Sequence, residues 1–544
     1  MKRIILATAL LSTIGLQAQV LNVNNNNGTY LPLNTENTKE ITFNESDKIV
    51  ILTTSDGAQH CFYTDKVESI SPQTDKSKRL TYSLAPTVVF DNNDQSNFTE
   101  KTEVIPTDES DDNYGDYVEN WDAGTETEIV FSENGVSVNG VKKETTHLTI
   151  ESTSSKVVYI VSGKCSNGSL KIYSEKKFQL VLTGLELTNP NGPAINIQTS
   201  KTVYFTIDDN TTNVLCDGET YNAPVVGTDG EEEDQKGTLF SEGQLIFDGA
   251  GTLNVTSLGG HGICSDDYIR IRSGNINILS AAKDGFRTKD KFIVSRTKAA
   301  SPRITVKSNN DGIDCSEGEV VIDAGILELT TGGEAIKVEY EEANPDPQVT
   351  PNATINGGYI KFTTTGEKSS GIKTTGNFKL NGGIIHGTVI GNGSKLLNCD
   401  GNIAIGKGKF TGFAEGTILN NETTAGGIKC EGELTISGGT IAMDCSGEGA
   451  KGINCDYIEA TGGDITILTT AQNYDNNYNS VAIDTKNLII TNGNVKLCAY
   501  DNAVEATKIS LFDGTLHAIS KEDIAIYANE ISQTGGWLII KEIE

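Results

Sequence analysis

A short phrase, usually a small residue, then an apolar one, then a polar one, returns about every 21 to 31 residues through the C-terminal half of the chain. It reads Gly262-Ile263-Cys264, Gly285-Phe286-Arg287, Gly312-Ile313-Asp314 and Ala335-Ile336-Lys337, then after one longer coil Gly371-Ile372-Lys373, Leu396-Leu397-Asn398, Gly427-Ile428-Lys429 and Gly452-Ile453-Asn454, and persists to Ala525-Ile526-Tyr527. Self-similarity at this period marks stacked coils of one solenoid, each coil burying its apolar face only against its neighbours.

Each coil divides into three short alternating segments. One coil runs Gly262-Ile263-Cys264, then Tyr268-Ile269-Arg270-Ile271, then Asn275-Ile276-Asn277-Ile278, with Ser273-Gly274 at a corner. The corner recurs at Gly357-Gly358, Gly438-Gly439 and Gly462-Gly463, where glycine tolerates a positive φ or a close backbone approach. This use explains 57 Gly against 11 Pro. No stretch sustains a 3.6-residue period, so helices should be few. The expected class is all-β, a parallel β-helix with three strands per coil.

The remaining chain divides around this solenoid. Residues 1–18 carry Lys2 and Arg3, an apolar stretch and a terminal Ala18, the pattern of a cleavable secretory signal, so the protein is expected to be exported to the periplasm, cell surface or medium. Residues 19–83 read as a small N-terminal β module, 84–125 as an acidic linker or irregular entry segment, and 126–544 as the β-helix. No later run of 18 apolar residues predicts a membrane span.

A formal charge of -30 at pH 7 is far too acidic for a protein that must neutralise phosphates, which argues against nucleic acid. It suits either simple solubility or the binding of a hard cation by carboxylates. Ten cysteines in an exported chain would ordinarily suggest disulfides. Cys315, Cys399, Cys430 and Cys455, however, each fall two residues after the apolar residue of the phrase and so face inward together. In-register neighbours stand about 4.8 Å apart, wider than the Cβ separation of about 3.8 Å that a disulfide prefers. Buried thiols are expected. Five scattered His and no CxxC make zinc an improbable ligand.

The segment Phe205 to Val255 is more specific. Asp208-Asp209-Asn210, Asn213-Val214-Leu215, an acidic insertion from Asp229 to Asp234, Leu239-Phe240-Ser241-Glu242-Gly243 and Leu245 to Leu253 follow one another, ahead of Gly262-Ile263 and Asp311-Gly312-Ile313-Asp314. In order and spacing this resembles the bacterial carbohydrate-binding β-helix family that is itself similar to pectate lyases. The resemblance implies an exported right-handed β-helix that binds calcium and plant-type polysaccharide, cellulose or an acidic glycan, without an established catalytic role.

Two sets of residues carry candidate chemistry. Asp284, Asp311 and Glu334 each stand immediately before the small residue on three consecutive coils, with Asp314 three residues after Asp311. Stacking would hold like charges near 5 Å apart, which calls for a cation, with calcium the natural choice for oxygen ligands. Alternatively the acids accept corner N–H groups or pair with Arg287 or Lys337. The outward position after the apolar residue supplies Arg287, Lys337, Lys373 and Lys429, a row able to grip the carboxylates of a polygalacturonate-like chain, or simply solvated surface charge. Two further classes stay open. One is a calcium-dependent polysaccharide lyase with Lys337 as base; the other is a structural or adhesive solenoid at the cell surface.

Overall fold

The computed structural model describes six strands within residues 20–72, then residues 98–542 apart from 228–229, 341–348, 421–422 and 475–477. The predicted signal at 1–18 lies outside the described residues. Two compact units emerge, one of residues 90–440 and one that joins residues 1–89 to 441–544.

In the first unit three walls of short parallel strands climb coil by coil. The wall that carries the phrase contains His261–Ser265, Phe286–Thr288, Ile313–Cys315, Ile336–Val338, Ile372–Thr374 and Lys395–Cys399. The second contains Tyr268–Ile271, Lys291–Val294, Glu319–Ile322, Ala353–Ile355, Phe378–Leu380 and Ile403–Ile405. The third contains Asn275–Ala281, Arg303–Ser308, Ile326–Thr331, Tyr359–Thr364, Ile384–Val389 and Lys409–Ala414. Each strand pairs in parallel with its counterpart one coil on, which makes the fold a parallel β-helix with three strands per coil. Among the described residues the only helical turns are two single 3-10 turns, Tyr114–Asp116 and Val118–Asn120.

The phrase has a physical reason on this framework. Its apolar residue forms the inward column Ile263, Phe286, Ile313, Ile336, Ile372, Leu397, Ile428, buried throughout. Each such side chain contributes about 1.5–3 kcal/mol relative to exposure. Where its first residue is glycine, a Cβ would strike the interior of the coil. It would stand 2.3 Å from Val306 at Gly285 and 2.1 Å from the Phe362 ring at Gly371. The corner glycines Gly274 and Gly358 have φ of 95° and 86°, as the turn reading expects. Cys315, Cys399, Cys430 and Cys455 are buried thiols, with Cys399 and Cys430 in register on adjacent strands.

The start of the solenoid departs from the three-strand pattern. Glu126–Ser132 pairs in parallel with Val158–Cys165, but Gly135–Val138 and Val141–Lys143 fold back antiparallel. The hairpin turn is Asn139-Gly140, both at positive φ, the combination a two-residue turn between twisted strands favours.

Of the 84–125 segment, residues 98–125 are described. Residues 98–121 are an ordered strap along the outside of the coils. Thr99 accepts the Gly358 N–H at 2.7 Å through its carbonyl, and its hydroxyl takes the Gly383 N–H at 2.9 Å. Glu100 pairs with Arg296 at 2.5 Å, and Glu103 takes Arg272 at 2.6 Å and the Ser295 hydroxyl at 2.9 Å. Further on, Asp116 binds Arg270 at 2.9 Å and the Tyr268 hydroxyl, and the Tyr204 hydroxyl donates to the Gly115 carbonyl at 2.6 Å. The Arg270 and Arg272 guanidinium groups lie 4.9 and 4.8 Å from the centre of the Tyr117 ring. The strap covers the outward position of the second wall, where Tyr204, Ile246 and Arg270 are in register, and Ile246 is consequently buried. The arginines that the strap meets come from coils far along the chain.

In the second unit Lys451–Ala460, Val481–Ile490, Val504–Leu511 and Ile526–Gln533 pair in parallel, as do Asp464–Thr469, Asn494–Ala499, Thr515–Ser520 and Trp537–Glu542. The N-terminal module contributes Gln59–Tyr63, which pairs antiparallel with the last strand, Leu538 opposite Cys61. The pairing covers the edge of the last strand, whose hydrogen-bonding groups would otherwise be left open.

Candidate functional site

The phrase-bearing wall assembles the predicted acids as a ladder. His261, Asp284, Asp311 and Glu334 occupy one position on successive coils. Asp284 Oδ1 accepts the Asp311 N–H at 3.0 Å and the Asn310 amide at 2.6 Å, and Asp311 Oδ1 accepts the Glu334 N–H at 2.8 Å. The His261 Nδ1 lies 3.0 Å from Asp284 Oδ2 and 3.3 Å from the Asp284 N–H, and it serves one or the other according to its tautomer. These acids thus organise the coil corners, one of the two roles their spacing suggested.

The ladder leaves other carboxylate oxygens to converge. Oxygens of Asp284, Asp311 and Asp314 lie within 4.8 Å of one another, on side chains only 2%, 4% and 1% exposed. Arg287 is hydrogen-bonded to Asp314 and stands 3.9 Å from Asp284. Lys337 Nζ is 3.7 Å from Asp314 and 4.0 Å from Asp311. Burial, and then the neighbouring charges of Glu334, Asp284 and Asp314, push the Asp311 carboxyl up to about 8. Burial alone would also raise Asp284, but His261 and the hydrogen bonds to Asp311 N–H and Asn310 hold it below the usual range. At neutral pH Asp311 therefore holds a proton, which a bound cation would displace. Glu334 acts on Asp311, yet its oxygens are not among those that converge.

The predicted cations share one outward column, Arg287, Asp314, Lys337, Lys373, Asn398, Lys429. Each already touches carboxylates on the wall. Lys373 bonds Glu339 at 3.0 Å, Lys337 lies 3.8 Å from the same Glu339, and Lys429 meets Glu431 at 2.5 Å. Among the three lysines exposure rises along the column, 17% at Lys337, 28% at Lys373 and 39% at Lys429. The accessible positive charge thus lies towards Lys373 and Lys429. The column begins earlier than the phrase shows. Lys171 and Asn196 continue it through Phe240 and Cys264 to Arg287, and beside them the 217–236 excursion builds a polar cleft that repeat spacing could not reveal.

A parallel β-helix with a clustered carboxylate site and a basic column on one wall defines the structural class. Residues 144–476 match the carbohydrate-binding domain-containing protein family, and the chain belongs to it. A carbohydrate-binding domain-containing protein of Acetivibrio thermocellus is 28% identical over 123 residues, 22% of this chain and 42% of that protein. This chain therefore spans less than half of that relative's length. A solved structure described as the polysaccharide lyase-like protein from C. thermocellum, a gadolinium derivative, is 24% identical; the match covers 52% of this chain and 97% of that one, with a TM-score of 0.38.

Proposed function

We propose that this protein is an exported, non-catalytic binder of an acidic, polygalacturonate-like polysaccharide, and that calcium takes part. The observation that carries the reading is the convergence of three buried carboxylates beside an in-register column of cations on a single wall. Asp284, Asp311 and Asp314 supply oxygen ligands only, the donor set a hard cation takes. Glu334 supports the site through its N–H bond to Asp311 rather than as a first ligand. Calcium, when bound, supplies positive charge that offsets the like-charged cluster and leaves coordination positions for glycan carboxylates. Arg287 and Lys337 orient Asp314 and Asp311, and Lys373 and Lys429, the more exposed pair, meet uronate groups by exchanging their present carboxylate partners.

Retention of the full chain on immobilised polygalacturonate tests this, run with calcium, with chelator, and with a Lys337→Ala/Lys373→Ala/Lys429→Ala variant, while ultraviolet absorbance follows unsaturated uronate product. Retention should need calcium and fall in the variant, with no product. Steady product formation would assign the protein to the lyases, with Lys337 the base. Failure to bind any glycan would leave a structural or adhesive role.

A further inference from the structure

A second site lies on the same wall, several coils before the carboxylate cluster. A cleft of about 250 Å3 opens between the Asn189–Pro193 turn and the 217–236 excursion, and His147, Lys171, Asn191, Asn196, Asn222 and Gln235 line it. Its rim is braced. The Asn189 carboxamide accepts the Asn191 N–H at 3.1 Å and donates to the Pro193 carbonyl at 2.8 Å, and Pro190 and Pro193 fix the backbone on either side. The excursion is tied to this turn by Asn222 N–H to Asn191 carbonyl at 2.8 Å and to itself by the Gln235 amide on the Asn222 carbonyl at 2.6 Å. Its acidic part closes the far side, with Glu233 holding Lys171 at 2.8 Å and the Tyr173 hydroxyl at 2.7 Å.

The lining selects a chemistry by elimination. None of the lining residues is acidic, so a metal ion finds no carboxylate. Lys171 is the one lining residue with a fixed positive charge, and Glu233 cancels it, so an anion finds no uncompensated cation. Leu170 and Pro193 are the only large apolar contributions, too little for an apolar ligand. What remains is a set of carboxamides, each able to donate and to accept. Among the described residues, the Asn191 and Asn222 side chains make no hydrogen bond to protein. Groups of this kind pair with hydroxyls, which also donate and accept. The volume is below the usual range of about 300–1,000 Å3 for drug-sized ligands and suits a single ring.

The geometry points to a subsite for one neutral, hydroxyl-rich sugar residue of a glycan in this cleft, held by the Asn191 and Asn222 carboxamides with Gln235 and Asn196 behind them. It rests on the carbohydrate-binding reading but not on calcium or an acidic ligand. Asn196 stands three rungs from Arg287 in one column, about 15 Å at sheet spacing. One glycan bearing both neutral and acidic residues can therefore lie along the wall and meet both sites.

Calorimetric titration of the full chain with neutral hexasaccharides of glucose, xylose and mannose tests the cleft. At least one should bind, without dependence on calcium, and Asn191→Ala/Asn222→Ala should weaken it tenfold or more while the melting temperature holds. Gly192→Leu is a second variant that removes no hydrogen-bonding group. A Cβ at Gly192 points between the Asn189 amide, 3.3 Å away, and Gln235, 4.0 Å away, so the larger side chain plugs the cleft and should abolish binding. If no neutral hexasaccharide binds, or if binding survives both variants, the proposal is overturned. Polygalacturonate retention measured in parallel separates the two readings: its loss with neutral binding intact removes the acidic ligand and keeps the cleft, and the opposite result does the reverse.

Discussion

A hydrogen in place of a methyl group decides where aromatic rings sit inside these coils. Phe362 is followed in its inward column by Gly387 and Gly412, and a Cβ at Gly387 would stand 2.2 Å from its ring. Gly387→Ala should therefore destabilise the protein by about 1–3 kcal/mol in urea unfolding through overpacking. Next to it, His386 points outward between Lys361 and Thr411, and its Nδ1 lies 3.0 Å from the Thr411 hydroxyl. Burial, then Lys361 and Lys409, lower its pKa to about 4. The unfolded chain then binds the proton more readily, so the stability present above about pH 6.5 is lost as pH falls towards 4. His386→Gln should flatten that part of the pH–stability profile, by about 1–3 kcal/mol across the window. At the carboxylate cluster, Asp311→Ala/Asp314→Ala should remove most of any rise in melting temperature that calcium produces. Spacing before and after the phrase made these acids legible, because it fixes coil position. It could not say that Glu334 stays outside the set of oxygens that converge, since side-chain torsions are set by neighbours from other coils.

At the scale of an element, the strap shows what sequence periodicity leaves unread. The three-strand coil was legible from alternation and corner glycines, both local properties. Docking of residues 98–121 depends on pairing Glu100, Glu103 and Asp116 with Arg296, Arg272 and Arg270, which no local pattern encodes. Arg272 is fully buried, held by Glu103 and by Glu119 at 2.8 Å. Removing one partner of a buried pair costs about 3–5 kcal/mol when the remaining charge is left uncompensated; Glu119 still holds Arg272, so the cost here should fall below that range. Glu103→Ala should lower the unfolding midpoint accordingly and open the strap to limited proteolysis. A strap that contributes nothing would leave both unchanged.

For the whole chain, a formal charge of -30 opposes any polyanion, so the proposed attraction would have to come from the local basic column and from bridging cations. Retention on polygalacturonate should accordingly weaken with added salt, because exposed charges are screened over about 8 Å at 0.15 M ionic strength. The inward thiols give an independent check on the solenoid, since Cys315, Cys399, Cys430 and Cys455 should react slowly with a thiol reagent until the protein is denatured. The strap also bears on biosynthesis. Its contacts reach from Gly115 to Tyr204, 89 residues ahead, and from Thr99 to Gly383, 284 residues ahead. At a synthesis rate of about 5–20 residues per second, the last of these partners emerges about 14–57 s after the strap itself. Docking during synthesis would therefore run backwards along the strap, from Gly115 towards Thr99, each newly completed coil fastening the segment that was made before it.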